Sequence, residues 1–264
     1  MFKFNDCHAA FVNLDHRKDR LAHMYGELQK AKINAERFEA IKTGHLTPDT
    51  CHQVQITMAK RTPGAIGCFL SQMAVMSQAL EVGKSAFVME DDLIFCNDIQ
   101  DRFAYIEKFI NEQDPDFDVI WLGGTFHVPA YWHTGTNVLH PNATIGRDAE
   151  RTSDPRIIRT YGAFSTHAYV VNYKSIDKIL KMLLDDMPTS IGIDFSFIRM
   201  QPSLRTYAFV PGCIKQMDNK SDIGAGMTIY SGFSRLNGTE ENSIYWWQDR
   251  MEDFDPLNFD WKDA

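Results

Sequence analysis

The sequence predicts an α/β fold, built as a single domain around a mostly parallel central sheet. Short apolar runs typical of buried strands alternate with longer segments in which apolar residues recur every three or four positions, as in amphipathic helices. The 264 residues are 44% hydrophobic and 23% charged, as in a globular protein with one sizeable core. No internal repeat or linker-like segment divides the chain.

The elements are predicted in order from these patterns. Strands are expected at residues 9–13, 36–41, 85–89, 119–122, 166–171 and, as the last strand, 206–210. Helices are expected at residues 21–31, 67–80, 99–110 and 176–183, the third of them capped by Asp98. Residues 43–63 are polar and aperiodic and are interpreted as a long loop or lid, and residues 126–160 as irregular structure.

Charge and hydropathy exclude several classes of protein. The chain carries 27 Lys and Arg against 35 Asp and Glu, a formal charge of −8, which disfavours general nucleic-acid binding. No apolar stretch approaches the roughly 18 residues of a membrane-spanning helix. Residues 1–12 are too polar for a secretory signal, so a cytoplasmic protein is expected, with peripheral attachment to the cytoplasmic face of a membrane left open. Five cysteines without a CxxC pair suggest neither a disulfide framework nor a zinc ribbon.

The C-terminal segment differs in composition from the rest of the chain. Residues 240–264 contain eight acidic and two basic residues, with aromatic residues interleaved among the acids. We expect a main domain over residues 1–239 and an aromatic tail packed on it, or extending it. A surface that stacks sugars or binds a partner is the alternative interpretation of the tail.

Three consecutive acids, Glu90, Asp91 and Asp92, directly follow the predicted strand at 85–89. In open α/β sheets, ligands bind beyond the carboxyl ends of strands. Ionised neighbouring carboxylates repel one another, and Mg²⁺ or Mn²⁺ would offset that charge while holding a diphosphate. Alternation along an extended chain would place Glu90 and Asp92 on one side and Asp91 on the other. A solvated turn or a helix cap is the alternative.

Two basic clusters are candidates for binding phosphate. Residues 15–20 follow the first strand and open the first helix, where backbone N–H groups also favour anions. The second cluster, Lys60-Arg61, precedes Pro63-Gly64. For both clusters, a solvated helix face is the alternative interpretation.

A set of motifs in fixed order resembles glycosyltransferase family 25, which includes lipooligosaccharide and collagen galactosyltransferases. The matching stretches are FVNLDHRKDR (11–20), FEAI (38–41), PGAIGCFLS (63–71), FVMEDD (87–92), DVIWLG (118–123), AYVV (168–171), IDF (193–195), and Pro211, Gln216 and SDI (221–223). Two positions depart from the family pattern: Ala65 replaces an acidic residue, and Gln72 stands where the family tends to have His. No counterpart aligns with residues 126–160, where we expect acceptor specificity to lie.

The resemblance implies a GT-A type, Rossmann-like nucleotide-sugar-binding domain. It also implies a Mn²⁺ (or Mg²⁺) ion, a UDP-sugar donor, and transfer of a hexose, most often galactose, to a hydroxyl of a glycan or glycoprotein acceptor. Glu90 and Asp92 would hold the metal, with Asp222 as a further ligand or a turn-forming residue. If the anomeric centre is inverted, Asp194 would take the acceptor proton. A plain helix cap is the alternative role for Asp194.

The remaining implied site residues would bind the nucleotide sugar. Asn13, Asp15 and Arg17 would meet the nucleotide, and Ala40 and Ile41 would pack against the uracil. The other donor-binding candidates are Glu90, Asp91, Gln216 and Ser221.

Two other functions remain open from the sequence. A metal-dependent phosphoryl-transfer enzyme could use the acid triplet. Such an enzyme would require a glycine-rich phosphate loop, and Gly123-Gly124 is too short to form one. A non-catalytic carbohydrate-binding descendant of the same fold could use the aromatic tail.

Overall fold

A mixed eight-stranded β-sheet with helices packed on both faces forms the centre of the protein. The computed structural model describes residues 1–42, 62–124, 149–188, 190, 192–217, 249–253 and 255. The strands are β1 (His8–Asn13), β2 (Glu36–Glu39), β3 (Ala86–Met89), β4 (Leu93–Phe95), β5 (Val119–Trp121), β6 (Ala149–Arg151), β7 (Ile157–Thr160), β8 (Ala168–Val171), β9 (Thr206–Phe209) and β10 (Ile214–Gln216). The helices are α1 (Lys18–Ala31), α2 (Pro63–Glu81), α3 (Ile99–Gln113), α4 (Tyr173–Asp186) and α5 (Ile193–Met200).

The sheet is mixed, so the prediction of a mostly parallel sheet is wrong. Its strand order is β2-β1-β3-β8-β5-β9-β7-β6. β1 runs parallel to both β2 and β3, and β5 runs parallel to β9. The other four pairings are antiparallel, because β8 runs against both of its neighbours and β7 runs against β6 and β9.

The reversed strand β8 matters for the site, because its first residues lie beside the last residues of β3. Met89 pairs with Ala168, and the Glu90 backbone N–H donates to the carbonyl oxygen of His167 over 2.9 Å. The residues just before β8 therefore meet the acid triplet that follows β3.

Alternate residues of the strands bury against two separate apolar layers, as expected of a sheet covered on both faces. Val88 of β3 belongs to the layer formed with α2, α4 and α5, whereas Phe87 belongs to the layer formed with α1 and α3. Among the described helices, none combines the length and the apolar character needed to cross a membrane.

A two-stranded antiparallel ribbon, β4 with β10, stands beside the main sheet, so the strand at 206–210 is not the last one. The ribbon pairs Leu93 with Gln216. Buried Arg102 of α3 supports the turn before β10, since its Nη1 donates to the carbonyl oxygens of Pro211 (3.0 Å) and Gly212 (2.9 Å). Gln216 is thereby carried to the acids that precede β4.

Three predicted segments differ in detail. Helix α2 begins at Pro63, before the predicted residue 67, because the Thr62 hydroxyl caps it by accepting from the Ala65 N–H (3.2 Å). Residues 43–61 and 125–148 lie outside the described residues, and β6 and β7 occupy part of the stretch predicted to be irregular. Asp98 precedes α3 but makes no side-chain cap; it accepts instead from Arg102 Nε (2.7 Å) and from the Met251 N–H.

The described part of the C-terminal tail contacts the domain at the turn before α3. Asn97 donates its backbone N–H to the carbonyl oxygen of Asp249 (3.1 Å) and its amide to the Asp249 carboxylate. Met251 packs against the apolar layer that contains α1 and α3. The role of the remaining tail and the boundary at residue 239 stay predictions.

Candidate active site at the carboxyl end of the third strand

All three acids of the triplet turn into the protein. Asp91 and Asp92 are only 6% and 7% exposed, and Glu90 is half-buried. Gln216 Nε2 donates to both Glu90 Oε2 (2.8 Å) and Asp92 Oδ1 (3.2 Å), whereas Asp91 bonds to Asn13. Glu90 and Asp92 therefore share a donor that Asp91 lacks, and the burial of Asp91 and Asp92 argues against a solvated turn.

Arg20 of α1 supplies a counter-charge that sequence reasoning missed. Its Nη1 lies 2.7 Å from Asp91 Oδ1 and 3.3 Å from Asp92 Oδ2, with both ends of the pair buried. Sequence analysis assigned Arg20 to a phosphate-binding cluster. Its position in α1 could have indicated the ion pair. Arg20 lies on the same buried stripe of α1 as Met24 and Leu28, and a charged residue there needs a buried partner.

Asn13, a predicted nucleotide contact, ends β1 and is buried against the triplet. Its Nδ2 donates to Asp91 Oδ2 (2.7 Å) and to the carbonyl oxygen of Arg17 (3.2 Å), and its Oδ1 accepts from Arg37 Nε (2.9 Å). Both ends of the amide are therefore engaged by the protein itself, and a contact with nucleotide stays a prediction.

Asp15 and Arg17 lie on the turn between β1 and α1, where each pairs with a neighbouring charge. Asp15 accepts from Lys18 (2.9 Å) and Arg37 (3.3 Å), and the hydrogen bond from Lys18 holds the pKa of this exposed carboxyl below its usual range. Arg17 donates to both carboxylate oxygens of Asp19. The structure thus places these two candidates within an exposed charge network.

Ala40 and Ile41, the predicted uracil contacts, are held between β1 and α2. The Ala40 N–H donates to the carbonyl oxygen of Asn13 (3.0 Å), and the Ile41 N–H donates to Ser71 Oγ (2.8 Å). Gly67 allows this approach, because a Cβ atom there would lie 2.3 Å from the Ile41 carbonyl oxygen.

Asp194 lies in the first turn of α5 and faces the same site. Gly192, not Asp194, holds the N-cap position, and Asp194 Oδ1 accepts from the Thr166 N–H over 2.7 Å. Burial raises the pKa of Asp194. Thr166 also bonds to Gln72, which bonds to Glu90, so hydrogen bonds connect this predicted base to the acid triplet. Its role as a base stays a prediction.

The surroundings of Glu90 and Asp92 disfavour the ionised form of both carboxylates. The pKa of Glu90 lies well above its usual range, first because of burial and then because of the charges of Asp92, Asp194 and Asp91, with Arg20 opposing. Burial likewise raises the pKa of Asp92 despite Arg20. Such a cluster favours binding of a further cation.

The residues present fit a hard cation such as Mg²⁺ or Mn²⁺. The described residues contain no group of three or more His, Cys, Asp or Glu side chains arranged to hold a metal. They do offer the carboxylates of Glu90 and Asp92 and the buried Oε1 of Gln216, which has no hydrogen-bond partner among them. Mg²⁺ is commonly bound by one or two carboxylates together with waters and substrate phosphates.

Three further predictions lie outside the described residues. Ser221 and Asp222, the candidates for closing the site, are among residues 218–248, and Lys60-Arg61 is among residues 43–61. Their roles stay predictions.

Gln72, which sequence analysis treated only as a departure from a family pattern, contacts the site directly. It is fully buried on α2, with Nε2 3.4 Å from Glu90 Oε1 and 3.3 Å from Thr166 Oγ1. The available signal was a polar residue within the apolar stripe that contains Phe69 and Met73. Thr166 could not be found this way, because its place at the site depends on the direction of β8.

Comparison with known proteins identifies the family to which the chain is similar. The profile of glycosyltransferase family 25, described as a lipopolysaccharide biosynthesis protein, matches residues 8–196. Human procollagen galactosyltransferase 2 is 26% identical over 123 residues, covering 42% of this chain and 20% of that protein. Procollagen galactosyltransferase 1 of Danio rerio is 27% identical over the same length and coverage, so the chain spans about a fifth of the curated relatives it matches.

Among solved structures, apo mouse xyloside xylosyltransferase 1 is similar over 74% of this chain and 67% of its own, at 12% identity and a TM-score of 0.40. That likeness is too low to support an argument. The family profile, in contrast, spans β1 to α5 and includes the acid triplet, Gln72 and Asp194. The chain therefore belongs to glycosyltransferase family 25.

Proposed function

We propose that this enzyme transfers a hexose, with galactose as the first candidate, from a UDP-sugar to a hydroxyl of a glycan or glycoprotein acceptor on a GT-A type domain. The observation that carries the proposal is the inward-facing group of Glu90, Asp92 and Gln216 at the carboxyl end of β3. Galactose is suggested by the names of the curated relatives. The family match favours this reaction over phosphoryl transfer.

Glu90, Asp92 and the Oε1 atom of Gln216 would hold a Mn²⁺ or Mg²⁺ ion, with Asp222 as a further candidate ligand. When bound, the ion would offset the charge that develops on the departing diphosphate. The shared orientation of the two carboxylates toward Gln216 and the unpaired amide oxygen support this assignment. Arg20 and Asn13 would keep Asp91 in place beneath the site.

Asp194 would act as the general base of an inverting transfer. In that step the acceptor oxygen bonds to the anomeric carbon, the bond from that carbon to the UDP oxygen breaks, and the hydroxyl proton passes to Asp194. A pKa raised by burial brings a carboxylate closer to neutral pH, where a base is most effective. The Thr166 N–H orients the carboxylate by bonding to Oδ1.

The donor would lie along the ends of β1 and β2. Asn13, Asp15 and Arg17 are proposed to meet the nucleotide, and Ala40 and Ile41 the uracil. Asp91 and Ser221 complete the proposed donor contacts. These assignments rest on the family resemblance and on the grouping of β1 and β2 at one edge of the sheet.

A product assay tests the proposal. UDP-galactose and UDP-glucose are offered with glycan and peptide acceptors, with and without Mn²⁺, and NMR of the product gives the linkage and the anomeric outcome. We expect Asp92→Asn to lose at least about 100-fold in rate while keeping its fold, because a metal ligand is removed. Asp177→Asn, on an exposed turn of α4, is the matched control and should be silent.

Different results would contradict different parts of the proposal. If neither donor is turned over and none stabilises the protein against thermal unfolding, the transferase assignment fails. If activity survives chelation of divalent cations, the metal assignment fails. A product with retained configuration would remove the role proposed for Asp194.

A further inference from the structure

We infer that Gln72 is a positioning residue that holds Glu90 and Asp194 in one arrangement, so that the donor and acceptor sides of the site act together. The inference rests on the proposed transferase function and deepens it. It concerns a residue that is fully buried on α2.

The contacts of the Gln72 amide carry the argument. Gln72 is fully buried, and its Nε2 lies 3.4 Å from Glu90 Oε1 and 3.3 Å from Thr166 Oγ1. An amide nitrogen carries two N–H groups, so it can serve both oxygens at once. Cys68 Sγ lies 3.5 Å away on the same helix.

The orientation of the amide follows from its partners. The NH₂ end of Gln72 faces Glu90, where it donates to Oε1. The other end, Oε1, accepts from the Tyr169 hydroxyl over 2.9 Å. Tyr169 is itself fully buried in β8, so the amide is fixed at both ends.

Thr166 extends this link to the proposed base. Its hydroxyl meets Gln72, and its backbone N–H donates to Asp194 Oδ1 over 2.7 Å. One path of hydrogen bonds therefore joins Glu90, Gln72, Thr166 and Asp194. The path exists because β8 runs antiparallel to β3 and brings its first residues to the acids.

The hydrogen bonds through Gln72 and Thr166 oppose the repulsion between two carboxylates. Glu90 and Asp194 are both negative when ionised, and each disfavours the charge of the other. The amide donor of Gln72 steadies Glu90, and the Thr166 bridge steadies Asp194. Loss of the amide should let the two carboxylates shift apart, and displacements of about 1 Å can cost about 100-fold in rate.

The test compares transfer with hydrolysis of the UDP-sugar in the absence of acceptor. Gln72→Met keeps the length of the side chain but removes both donor and acceptor. We expect it to lower kcat for transfer about 10-fold or more, with KM for the donor within about twofold, and to lower hydrolysis much less. The ratio of transfer to hydrolysis is the diagnostic readout.

Three companion variants sharpen the test. Gln72→His retains an N–H donor and should recover more of the transfer-to-hydrolysis ratio than Gln72→Met. Tyr169→Phe keeps the core volume, removes only the hydroxyl that orients the amide, and should lower the same ratio even if Gln72→Met folds poorly. Gln78→Met changes an exposed glutamine on the same helix and should leave both rates unchanged.

The outcomes separate the inference from the proposed function. A wild-type protein that transfers no sugar overturns both. An active wild-type protein whose Gln72→Met and Tyr169→Phe variants keep the transfer-to-hydrolysis ratio overturns the inference alone. Transfer and hydrolysis falling together, in proportion to the folded fraction, would make Gln72 merely structural and also overturn it.

Discussion

Removing the charge of Arg20 should destabilise the protein far more than removing a surface charge. Arg20 is the buried cation of α1, 2.7 Å from Asp91 and 3.3 Å from Asp92, and its side chain is 9% exposed. Arg20→Met keeps most of the apolar stem but leaves two buried carboxylates without their counter-charge. Breaking a buried pair from one side costs about 3–5 kcal/mol.

The low end of that range is expected here, because Asn13 continues to donate to Asp91 over 2.7 Å. A loss of about 3 kcal/mol in the free energy of unfolding corresponds to a fall in Tm on the order of 10 °C for a chain of this size. Urea titration and thermal unfolding followed by circular dichroism at pH 7 measure both quantities.

The pH dependence has a definite sign. Burial already raises the pKa of Asp92, with Arg20 opposing, so removal of Arg20 raises the pKa further. A folded state whose carboxyl pKa exceeds the unfolded value binds more protons and gains stability as the pH falls. The deficit of Arg20→Met should therefore shrink between pH 7 and pH 5.

Two comparisons decide whether the reasoning holds. Arg205 makes an equally short bond, 2.8 Å to Asp114, but its side chain is 44% exposed, so Arg205→Met should cost no more than about 1 kcal/mol. In a double-mutant cycle, Arg20→Met with Asp91→Asn should cost less than the sum of the single variants. If Arg20→Met costs no more than Arg205→Met, the buried ion pair does not stabilise the fold.

Three other results are expected. Burial lowers the pKa of His167 from 6.5 to about 4. As the pH falls between these two values, the unfolded state takes up a proton before the folded state does, so the free energy of unfolding should fall by about 3 kcal/mol. Denaturant titrations in which His167→Gln keeps the pH dependence of the unaltered protein would refute this. Gly67→Ala should cost about 1–3 kcal/mol, because its Cβ would lie 2.3 Å from the Ile41 carbonyl oxygen. Gly26→Ala, with nothing within 4 Å on α1, is its control and should be neutral or stabilising by up to about 1 kcal/mol. Arg102→Met should cost about 3 kcal/mol in thermal unfolding, since it unpairs two carbonyl oxygens of the turn before β10; an unchanged Tm would contradict that role.

Most helices and strands could be predicted because their patterns are local. β1, α1, β3 and α4 lie within a few residues of their predicted bounds, since burial on one or two faces leaves a readable period in the chain. The ribbon strand β10 was missed because three residues are too few to show a period. The direction of β8 was missed because an apolar run has the same composition whichever way it points.

The site divides in the same way. The acid triplet after β3 and the acidic position at Asp194 could be selected from residue type, motif order and the end of a strand. The pairing of Arg20 with Asp91 and Asp92 was missed, and Gln72 was passed over, because hydrogen-bond partners distant in sequence leave no pattern in either segment.

The sequence alone determined that this protein is a member of an α/β glycosyltransferase family with clustered acids at a strand end. It could do so because the period of the apolar residues, the residue types and the order of the motifs are properties of the chain itself. Only the tertiary structure decided that the sheet is mixed, that Arg20 offsets part of the acidic charge, and that Gln72 and Thr166 link Glu90 to Asp194. Those contacts depend on strand direction and on packing between distant segments, and such pairings are settled by the folded arrangement as a whole.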